Sequence, residues 1–492
     1  MLRPSSRLPS GRHFAVTWTI ADAFGSMTSA LLHRSRAFVR LGGVDVDILT
    51  FDARPDYPDV AARLREREEL VDGMGLVNLY DWLRAHPLPG GSLDLKRDRF
   101  DPLDPLGPYA TAERDGRILS RTRFAKDGTT ILQRDHYRLD GSLLLSDLRG
   151  ARTPAVPGGD RSIVLCDAGG VPTRSWRGIW PLYRAWLDRL TAGEPSWMIV
   201  DSKTSANFMV GYRRPHVVVL HVVHNSHLAD GERPDGPYRE SRRYVFERLD
   251  QFDSVIVLTE RQKSDLEAKR GPLPSLAVIP NAHEFGPSPE PSRRPAGAGI
   301  VLASLTSRKH VDFAIQAVAA AGLPELTLDI YGEGERRAEL EALVARLGVA
   351  GIQLHGYRAD ARDRLPAASF LLETGSSEGF PLVLVEAMAA GCVPIATDVR
   401  YGPSDAIRNG VDGLLVPADD VVALAGAIRQ FVEMPDVDRE RMRRAARDAA
   451  HAYTDARIVR LWARALRAAA KRHRAALSAV LPREDAPSTA PA

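Results

Sequence analysis

The 492-residue sequence has few cysteines, no long apolar run and little excess charge. Its two cysteines, Cys166 and Cys392, are too few and too far apart for a disulfide framework or a thiolate zinc site, which favours a reducing compartment. The apolar stretch Val217–Val223 is far shorter than the roughly 20 residues that span a bilayer. A net charge of +3, with basic residues interleaved among acidic ones, lacks the dense basic stripe typical of a nucleic-acid-binding protein.

The amino-terminal segment fits a first strand better than a secretion signal. Its apolar stretch 14–20 is short and runs into Asp22 without a small-residue cleavage pattern. We therefore expect a cytoplasmic chain with at most peripheral membrane contact. Hydrophobic residues make up 44% of the chain and charged residues 26%, as in soluble globular proteins, and the length suggests two or three domains.

The first fifty residues predict the start of an open α/β domain. A strand-like segment at 13–20 is followed by a small, glycine-containing loop and an apolar-periodic helix at 30–40. Gly42 and Gly43 end this helix, and residues 44–49 form the next strand. Such a strand–helix–strand unit places its two strands parallel in one sheet.

A different pattern occupies residues 94–150. Three Asp-Gly pairs separate strand-like runs there, at positions 115–116, 127–128 and 140–141. Asp-Gly supplies the positive φ angles of tight hairpin turns, so we predict an antiparallel β-meander inserted into the α/β domain. The strand–helix alternation is expected to resume with a strand at 162–166 and a helix at 180–190.

The second half predicts a further α/β domain. A Pro- and Ser-rich linker at 287–295 precedes a new strand at 300–303, after which helices and strands again alternate. The predicted organisation is an amino-terminal domain at 1–290, a carboxy-terminal domain at 296–455, a terminal helix at 456–480 and a disordered tail at 481–492.

The most informative stretch is 376–394, where polar residues open a helix between two short apolar strands. Pro381 suits the first helical turn and Gly391 the carboxyl cap. The free N–H groups and the dipole of such a helix favour a phosphate or diphosphate. Glu378 and Glu386 are eight residues apart, about 12 Å along a helix axis, so an elongated ligand could bridge them. Spacing alone also fits a first-turn acid and a solvated helix residue.

The string from Glu378 to Pro394 resembles the Glu-x7-Glu signature of retaining glycosyltransferases of family 4, which have the GT-B fold. The later segment 398–405 and the meander look most like the branch of poly(glycerol-phosphate) α-glucosyltransferases and the glycosyltransferases of serine-rich adhesins. Other segments resemble the same family in the same order: Phe24–Thr28, Leu258–Glu260, Ile279–Asn281, Lys309–Asp312, Ile330–Gly334 and Leu354–Tyr357.

The resemblance implies a fold and an activity. It implies an α/β protein with two Rossmann-like domains facing a cleft, the meander inserted in the first, and the terminal helix packed back on that domain. It also implies transfer of a hexose or N-acetylhexosamine, with retained configuration, from a nucleotide-diphosphate sugar to an acceptor hydroxyl on a cell-wall polymer or protein. The donor expected from the family is UDP-linked, without a cofactor or catalytic metal.

Applied residue by residue, the resemblance implies that Glu378 contacts the donor sugar and that Glu386 contacts the ribose of the nucleotide. The segment from Gly379 to Leu382 offers main-chain N–H groups at Phe380 and Leu382 to the sugar and diphosphate. Pro381 has no N–H to donate. Tyr357, at the end of one of the similar segments, is a further candidate for donor binding.

Arg308 and Lys309 are adjacent cations suited to a diphosphate and to the charge that develops as the sugar leaves. Without the resemblance, two solvated surface cations would be the better interpretation. Family members usually carry an arginine five residues before the lysine, where this sequence has Ser304. Either Arg308 substitutes for that arginine or the leaving group is held less tightly.

His224 follows the apolar strand, and ligands of open α/β sheets lie at the carboxyl ends of strands. The resemblance also places a histidine near the sugar here, as a catalytic residue, and His221 and His227 compete for that role. A structural histidine is the alternative. Gly25 and Ser26 precede the first helix and would let a phosphate or the acceptor approach the backbone, unless they form an ordinary turn.

Three further possibilities concern the whole chain. The meander could mediate homo-oligomerisation or hold a polymeric acceptor. Relatives of this branch include non-catalytic partner subunits, although both glutamates and the lysine are present here, which favours an enzyme. The third possibility is a sugar-nucleotide epimerase of the GT-B fold, which would act without an acceptor.

Overall fold

The computed structural model describes residues 7–22, 24–89, 92–96, 98–150, 160–229, 233–284 and 294–480. Its contacts divide the chain into two compact units. The first comprises residues 8–221, 248–253 and the chain from 466, and the second comprises residues 222–247 and 254–465. Most of the predicted linker and the whole predicted tail lie outside the described residues, so the predicted domain boundaries stay predictions.

The first unit begins with the predicted parallel α/β pattern. β1 and β2 pair in parallel, with His13 opposite Val46, which confirms the strand–helix–strand unit. The elements are β1 (Arg12–Val16), α1 (Ser26–Ala37), β2 (Val46–Thr50), α2 (Tyr57–Glu66), β3 (Met74–Asn78) and α3 (Leu79–Ala85). A short π-helical segment extends α1 to Gly42, and Gly43 ends it with a φ of 71°.

The meander is larger than the sequence indicated. Its strands are β4 (Ala110–Arg114), β5 (Arg117–Phe124), β6 (Ile131–Tyr137), β7 (Leu143–Arg149), β8 (Arg161–Cys166) and β9 (Pro172–Arg177). All neighbours pair antiparallel in the order β4-β5-β6-β7-β8-β9. Asp115 and Gly116 have φ angles of 51° and 71°, as a two-residue hairpin requires.

The strand predicted at 162–166 was assigned to the wrong sheet. β8 pairs antiparallel with β7, with Val164 opposite Ser146, so the meander continues to Arg177 rather than ending at 150. The error has a physical cause, because a short, fully apolar run looks the same in a buried antiparallel strand and in a parallel one.

The parallel sheet of the first unit resumes after the meander. The elements are α4 (Trp180–Thr191), β10 (Ser196–Val200), α5 (Lys203–Met209) and β11 (Val217–Val223). Strands β11, β10, β1, β2 and β3 lie side by side in that order, all parallel. Every residue of β10 and β11 is buried, as expected for strands covered on both faces.

The second unit is built around a six-stranded parallel sheet, with strands in the order β16-β15-β14-β17-β18-β19. β12 and β13, also in this unit, pair in parallel with each other. The first elements of this unit, in chain order, are α6 (Glu240–Phe246), β12 (Ser254–Val257), α7 (Glu260–Arg270), β13 (Leu276–Val278), β14 (Ala298–Leu302), α8 (Val311–Ala321), β15 (Thr327–Tyr331), α9 (Arg337–Leu347), β16 (Ile352–Gly356) and β17 (Phe370–Glu373). The remaining elements are α10 (Leu382–Ala389), β18 (Val393–Thr397), α11 (Pro403–Ala406), β19 (Leu414–Val416), α12 (Val421–Glu433) and α13 (Asp436–Ala450).

The core of this unit explains its element boundaries. In α8 the buried residues Val311, Ala314, Ile315 and Val318 recur at helical spacing and pack with the apolar strands of the sheet. Gly322 ends α8 with a φ of 67°, and an added side chain would be strained in that conformation. The fold places the carboxyl ends of neighbouring parallel strands at one edge of the sheet.

The last element is the predicted terminal helix, α14 (Asp455–Val480). Its residues from 466 onward belong to the first unit, where the ring of His473 hydrogen bonds through Nδ1 to Asp253 Oδ1 at 3.0 Å. Arg472 Nε donates to the carbonyl of Asp253 at 2.8 Å. Among the described helices, none combines the length and apolar character that crossing a membrane requires.

Candidate active site

The candidate site forms where two neighbouring strands of the second unit end. β14 and β17 pair in parallel, and the segments that follow them, 304–310 and 374–381, lie against each other. Thr374 Oγ1 donates to the carbonyls of Lys309 and His310 at 3.1 and 2.8 Å, and Ser376 N donates to the carbonyl of Arg308 at 2.9 Å. Residues 64 to 68 positions apart in sequence are thus held together by side-chain and main-chain hydrogen bonds.

A cluster of charges occupies this junction. Glu378 Oε1 lies 2.8 Å from Lys309 Nζ and 2.7 Å from an amino nitrogen of Arg308, which also donates to the carbonyl of Ser377 at 2.9 Å. Lys309 Nζ lies 3.5 Å from Glu373 Oε1. The structure therefore brings together Glu378, Arg308 and Lys309, three residues that the sequence analysis selected, and adds Glu373, which it did not.

The buried position of this cluster fixes its charge states. Burial disfavours the Lys309 ammonium, but the Glu373 and Glu378 carboxylates outweigh it and raise the pKa of Lys309. Burial raises the pKa of Glu373, and Lys309 opposes that effect only in part. Lys309 therefore remains a cation, held by two acids in a site largely removed from water.

Glu378 is fixed by main-chain pairing to the segment before α11. Its N–H donates to the carbonyl of Arg400 at 3.2 Å, and Tyr401 N donates back to the carbonyl of Glu378 at 3.0 Å. The Tyr401 hydroxyl and Arg400 Nε both donate to Asp265 Oδ2 of α7 at 2.9 Å. The sequence motif containing Tyr401 thus supports the Glu378 loop, a role that its spacing did not reveal.

His224 lies directly against the Glu378 loop. A Cβ atom added to Gly379 would lie 2.6 Å from the carbonyl carbon of His224 and 2.9 Å from Asn225 Cα, so only glycine permits this approach. His224 is half-buried at the carboxyl end of β11, as predicted. Gly379 therefore permits this close packing, and its role in donor binding stays a prediction.

The other two histidines have structural surroundings. His221 is buried in the first unit, where its Nδ1 hydrogen bonds to the carbonyl of Val200 at 2.9 Å. His227 stacks on Tyr401 with the ring centroids 5.7 Å apart and on Phe246 at 5.5 Å. Burial lowers the pKa of His227 to about 4, so its ring is neutral at physiological pH. Of the three, His224 is the one that contacts the Glu378 loop.

Glu386 is buried on α10, and Arg362 Nε lies 2.8 Å from its Oε2. The helix begins at Leu382, and Pro381 occupies the extended residue before it rather than the first turn. Glu378 consequently lies in the preceding loop, so the 12 Å estimate, which assumed one helix for both glutamates, does not apply. Gly391 follows α10 with a φ of 69°, which confirms its predicted place after the helix.

The start of α10 presents main-chain donors. Among the described residues no side chain caps this helix, and Leu384 N donates to the carbonyl of Pro381 at 3.1 Å, so it is the N–H groups of Leu382 and Val383 that have no intrahelical acceptor. Phe380 is buried against Tyr453, with ring centroids 5.2 Å apart, and fixes the entry to the helix. The geometry is suited to binding an anion at this helix end.

Four other sequence positions lie at the surface. Tyr357 is 75% exposed just after β16, and Ser304 is exposed just after β14. Gly25 and Ser26 are exposed at the amino end of α1 in the first unit. A Cβ atom on Gly25 would meet nothing within 4 Å, so local packing does not require glycine there. Within the described residues, no three His, Cys, Asp or Glu side chains could hold a metal ion together.

Comparisons with known proteins found a matching family model and similar relatives. Residues 298–449 match the family model described as "Glycosyl transferases group 1". Over 317 residues the chain is 30% identical to the GtfA subunit of the UDP-N-acetylglucosamine–peptide N-acetylglucosaminyltransferase of Streptococcus gordonii, covering 62% of this chain and 60% of that one. Over 191 residues it is 41% identical to an exopolysaccharide phosphotransferase of Streptomyces coelicolor, covering 38% of this chain and 20% of that one.

Solved structures extend the likeness to nearly the whole chain. The crystal structure of TarM has a TM-score of 0.77 at 19% identity, covering 93% of this chain and 99% of TarM. The pneumococcal O-GlcNAc transferase GtfA, solved with UDP and GlcNAc, has a TM-score of 0.65 at 20% identity, covering 93% and 99%. The matched segments span from a fifth to about 60% of the length of the first curated relatives. Residues 298–449 therefore resemble group 1 glycosyltransferases, in a chain that has the GT-B fold.

Proposed function

We propose that the protein is a retaining glycosyltransferase that moves a hexose or N-acetylhexosamine from a UDP-linked sugar to an acceptor hydroxyl. The observation that carries this proposal is the cluster in which Arg308 and Lys309 hold Glu378 beside His224 and the amino end of α10. Curated relatives are named as transferases that use UDP-N-acetylglucosamine or glycosylate a polyol-phosphate polymer. Those names describe the relatives and support the choice of donor and acceptor class here.

Each residue of the cluster has a role in this proposal. Glu378 accepts hydrogen bonds from the donor sugar, and Glu386 accepts them from the ribose. Lys309, Arg308 and the first N–H groups of α10 stabilise the charge that develops on the diphosphate as its bond to the sugar breaks. His224, fixed against the Glu378 loop, contacts the sugar.

The proposed reaction needs no separate carboxylate base. The bond from the anomeric carbon to the phosphate oxygen breaks, and the acceptor oxygen forms the new bond on the same face of the sugar. The acceptor proton passes to the departing phosphate oxygen, which gives a nucleoside diphosphate and a glycoside of retained configuration. This step draws on the family resemblance, and the buried cations supply the electrostatic part of it.

We further propose that the protein belongs to the branch of the poly(glycerol-phosphate) α-glucosyltransferases. In this proposal it acts in the cytoplasm on a cell-wall polymer or a protein. The support is a 23% identity over 294 residues to the Bacillus subtilis enzyme of that name, covering 58% of this chain and 43% of that one. We propose that the meander holds this acceptor or mediates self-association.

One assay separates the proposal from its alternatives. The protein is incubated with UDP-glucose, UDP-N-acetylglucosamine or GDP-mannose, with and without poly(glycerol phosphate) and a Ser-rich peptide. A transferase consumes the donor and labels an acceptor. An epimerase alters the sugar without an acceptor, and a non-catalytic partner subunit does neither.

A further inference from the structure

The terminal helix α14 has a one-sided distribution of charge. Residues 455–480 contain seven arginines and lysines and a single acid, Asp455. Six of the seven are exposed: Arg457, Arg460, Arg464, Arg467, Lys471 and Arg474. At 3.6 residues per turn, these six positions lie within about 100° of the helix circumference and extend about 25 Å along its axis. The exposed cations therefore form one continuous stripe, which we call the basic stripe.

The opposite face of α14 holds the helix against the protein. Buried apolar residues recur there at helical spacing: Ile458, Trp462, Leu466 and Ala469. The seventh cation, Arg472, is half-buried and donates to the carbonyl of Asp253. Because the apolar face is already covered by the protein, α14 presents its charged face to a partner.

The preceding helix, α13, neutralises its arginines differently. Four of them pair with acids of the same helix, as Arg441 does with Asp438 at 2.8 Å. Five cations of the basic stripe, by contrast, have no carboxylate within 4 Å among the residues that the structure describes: Arg457, Arg460, Arg464, Lys471 and Arg474. The residues outside the described ranges carry five acids and five arginines, so they add no net negative charge.

The basic stripe is unfavourable for the helix itself. Cations three or four residues apart, such as Arg460 and Arg464, repel each other. Arg457 and Arg460 also lie near the amino end of α14, where the helix dipole favours negative charge. An anionic partner would remove both unfavourable terms, so binding accounts for the stripe better than helix stability does.

The other exposed side chains of α14 indicate the class of partner. Between 456 and 478 they are Ala456, Ala468, Ala475, Ala476 and Ser478. None of them is an aromatic residue on which a nucleic-acid base could stack, and four of the five cannot hydrogen bond a sugar. The short alanines leave the ends of the long cationic side chains outermost. A straight stripe that recognises negative charge alone fits the phosphate headgroups of a lipid surface.

We propose that the basic stripe of α14 docks the protein on a membrane surface that contains anionic phospholipids. The helix lies parallel to the membrane plane, and the binding is electrostatic because the apolar face stays within the protein. The proposal does not rest on the proposed function, since the charge cluster around Glu378 takes no part in it.

The test is sedimentation of the full-length protein with vesicles of phosphatidylcholine alone or of equal parts phosphatidylcholine and phosphatidylglycerol. The stripe variant combines three substitutions: Arg460→Gln, Arg464→Gln and Lys471→Gln. The matched control variant makes the same change at three exposed arginines of other helices: Arg65, Arg346 and Arg444. Glutamine is about as favourable in a helix as arginine and lysine, and thermal unfolding checks that both variants are folded.

The wild type should bind the mixed vesicles and not phosphatidylcholine alone. Raising the salt from about 0.05 M to about 0.5 M should release it, because salt screens exposed charges. A basic residue near an anionic surface contributes about fivefold in affinity, so the stripe variant should bind roughly 100-fold more weakly. Each single substitution of the stripe should weaken binding about fivefold, and the control variant should bind as the wild type does.

Equal binding of the wild type and the stripe variant, or binding that does not need the anionic lipid, overturns the proposal. An equal loss in the control variant also overturns it, because net charge would then be responsible. Titration with soluble poly(glycerol phosphate) tests the other polyanion. Stripe-dependent binding of this polymer by a protein that does not bind the vesicles assigns the stripe to a polymer and overturns membrane docking. A protein that docks through the stripe but transfers no sugar refutes the proposed function alone.

Discussion

At the scale of single residues, the account depends on Glu378 and Lys309, whose side chains meet at 2.8 Å. We predict that Glu378→Gln and Lys309→Ala each lower sugar transfer by about 100- to 1,000-fold, the usual effect of removing one charge-stabilising group from an active site. Initial rates measure the loss, and thermal unfolding checks that each variant is folded.

Glu325→Gln is the matched control for this prediction, because Glu325 is exposed in the same unit. It should keep the wild-type rate. Near-normal turnover by Glu378→Gln or Lys309→Ala would remove the role assigned to that residue.

His227 allows a prediction about pH. Its folded pKa is about 4, below the ordinary value of 6.5, so the unfolded chain takes up a proton that the folded protein excludes. The stability that depends on this group is present above pH 6.5 and is lost as the pH falls toward 4. Between pH 7 and pH 5 the loss should be about 2 kcal/mol, at 1.36 kcal/mol per pH unit below 6.5.

Urea unfolding of the wild type and of His227→Phe at these two pH values tests this prediction. Phenylalanine retains a ring for stacking on Tyr401 but cannot be protonated. The variant should therefore lose about 2 kcal/mol less on acidification than the wild type does. An identical pH dependence of both proteins would show that His227 does not titrate as described.

At the scale of elements, the site is made by the loops that follow β14 and β17, and its precision depends on close packing. Gly379→Ala would drive a methyl group into the main chain of His224 and Asn225, so we predict that it displaces the Glu378 loop. Transfer should fall at least tenfold and the melting temperature should drop, because main-chain atoms cannot give way as a flexible side chain would.

Gly426→Ala provides a matched control within α12. Nothing lies within 4 Å of a Cβ atom at Gly426, and alanine is favoured over glycine inside a helix by about 1 kcal/mol. This variant should be at least as stable as the wild type and fully active. Wild-type activity in Gly379→Ala would show that the contact between the loop and His224 does not matter.

Much of the element order could be predicted from the sequence, because local patterns determine it. The apolar strand at 217–223 has the observed bounds, and the helix predicted at 180–190 is observed at Trp180–Thr191. The contacts around Glu378 could not be predicted in the same way. Asp265 and Tyr401 come from two distant segments, and no pattern within either of them indicates the other.

At the scale of the whole molecule, the meander is the least explained part. Its residues Phe124, Leu132 and Leu139 are large apolar side chains with exposures of 37%, 37% and 48%. If the meander mediates self-association through such surface, charged replacements should dissociate the protein. We predict that Leu132→Lys lowers the mass measured by light scattering, whereas Val422→Lys, exposed on α12, leaves it unchanged.

A monomeric wild type, or a mass unaffected by Leu132→Lys, would favour a role of the meander in binding the acceptor instead. In that case the same variant should raise the KM for poly(glycerol phosphate) while leaving the donor KM unchanged. An effect on neither the mass nor the acceptor KM would contradict both roles for this surface of the meander.

The central claim is that the charge cluster at the ends of β14 and β17 binds an activated sugar. Titration of UDP-glucose, UDP-N-acetylglucosamine and GDP-mannose into the wild type and Lys309→Ala tests it most directly. We predict that at least one of them binds the wild type with one-to-one stoichiometry and binds Lys309→Ala at least tenfold more weakly. Failure of all three to bind the wild type, or equal affinity in the folded variant, would contradict the claim.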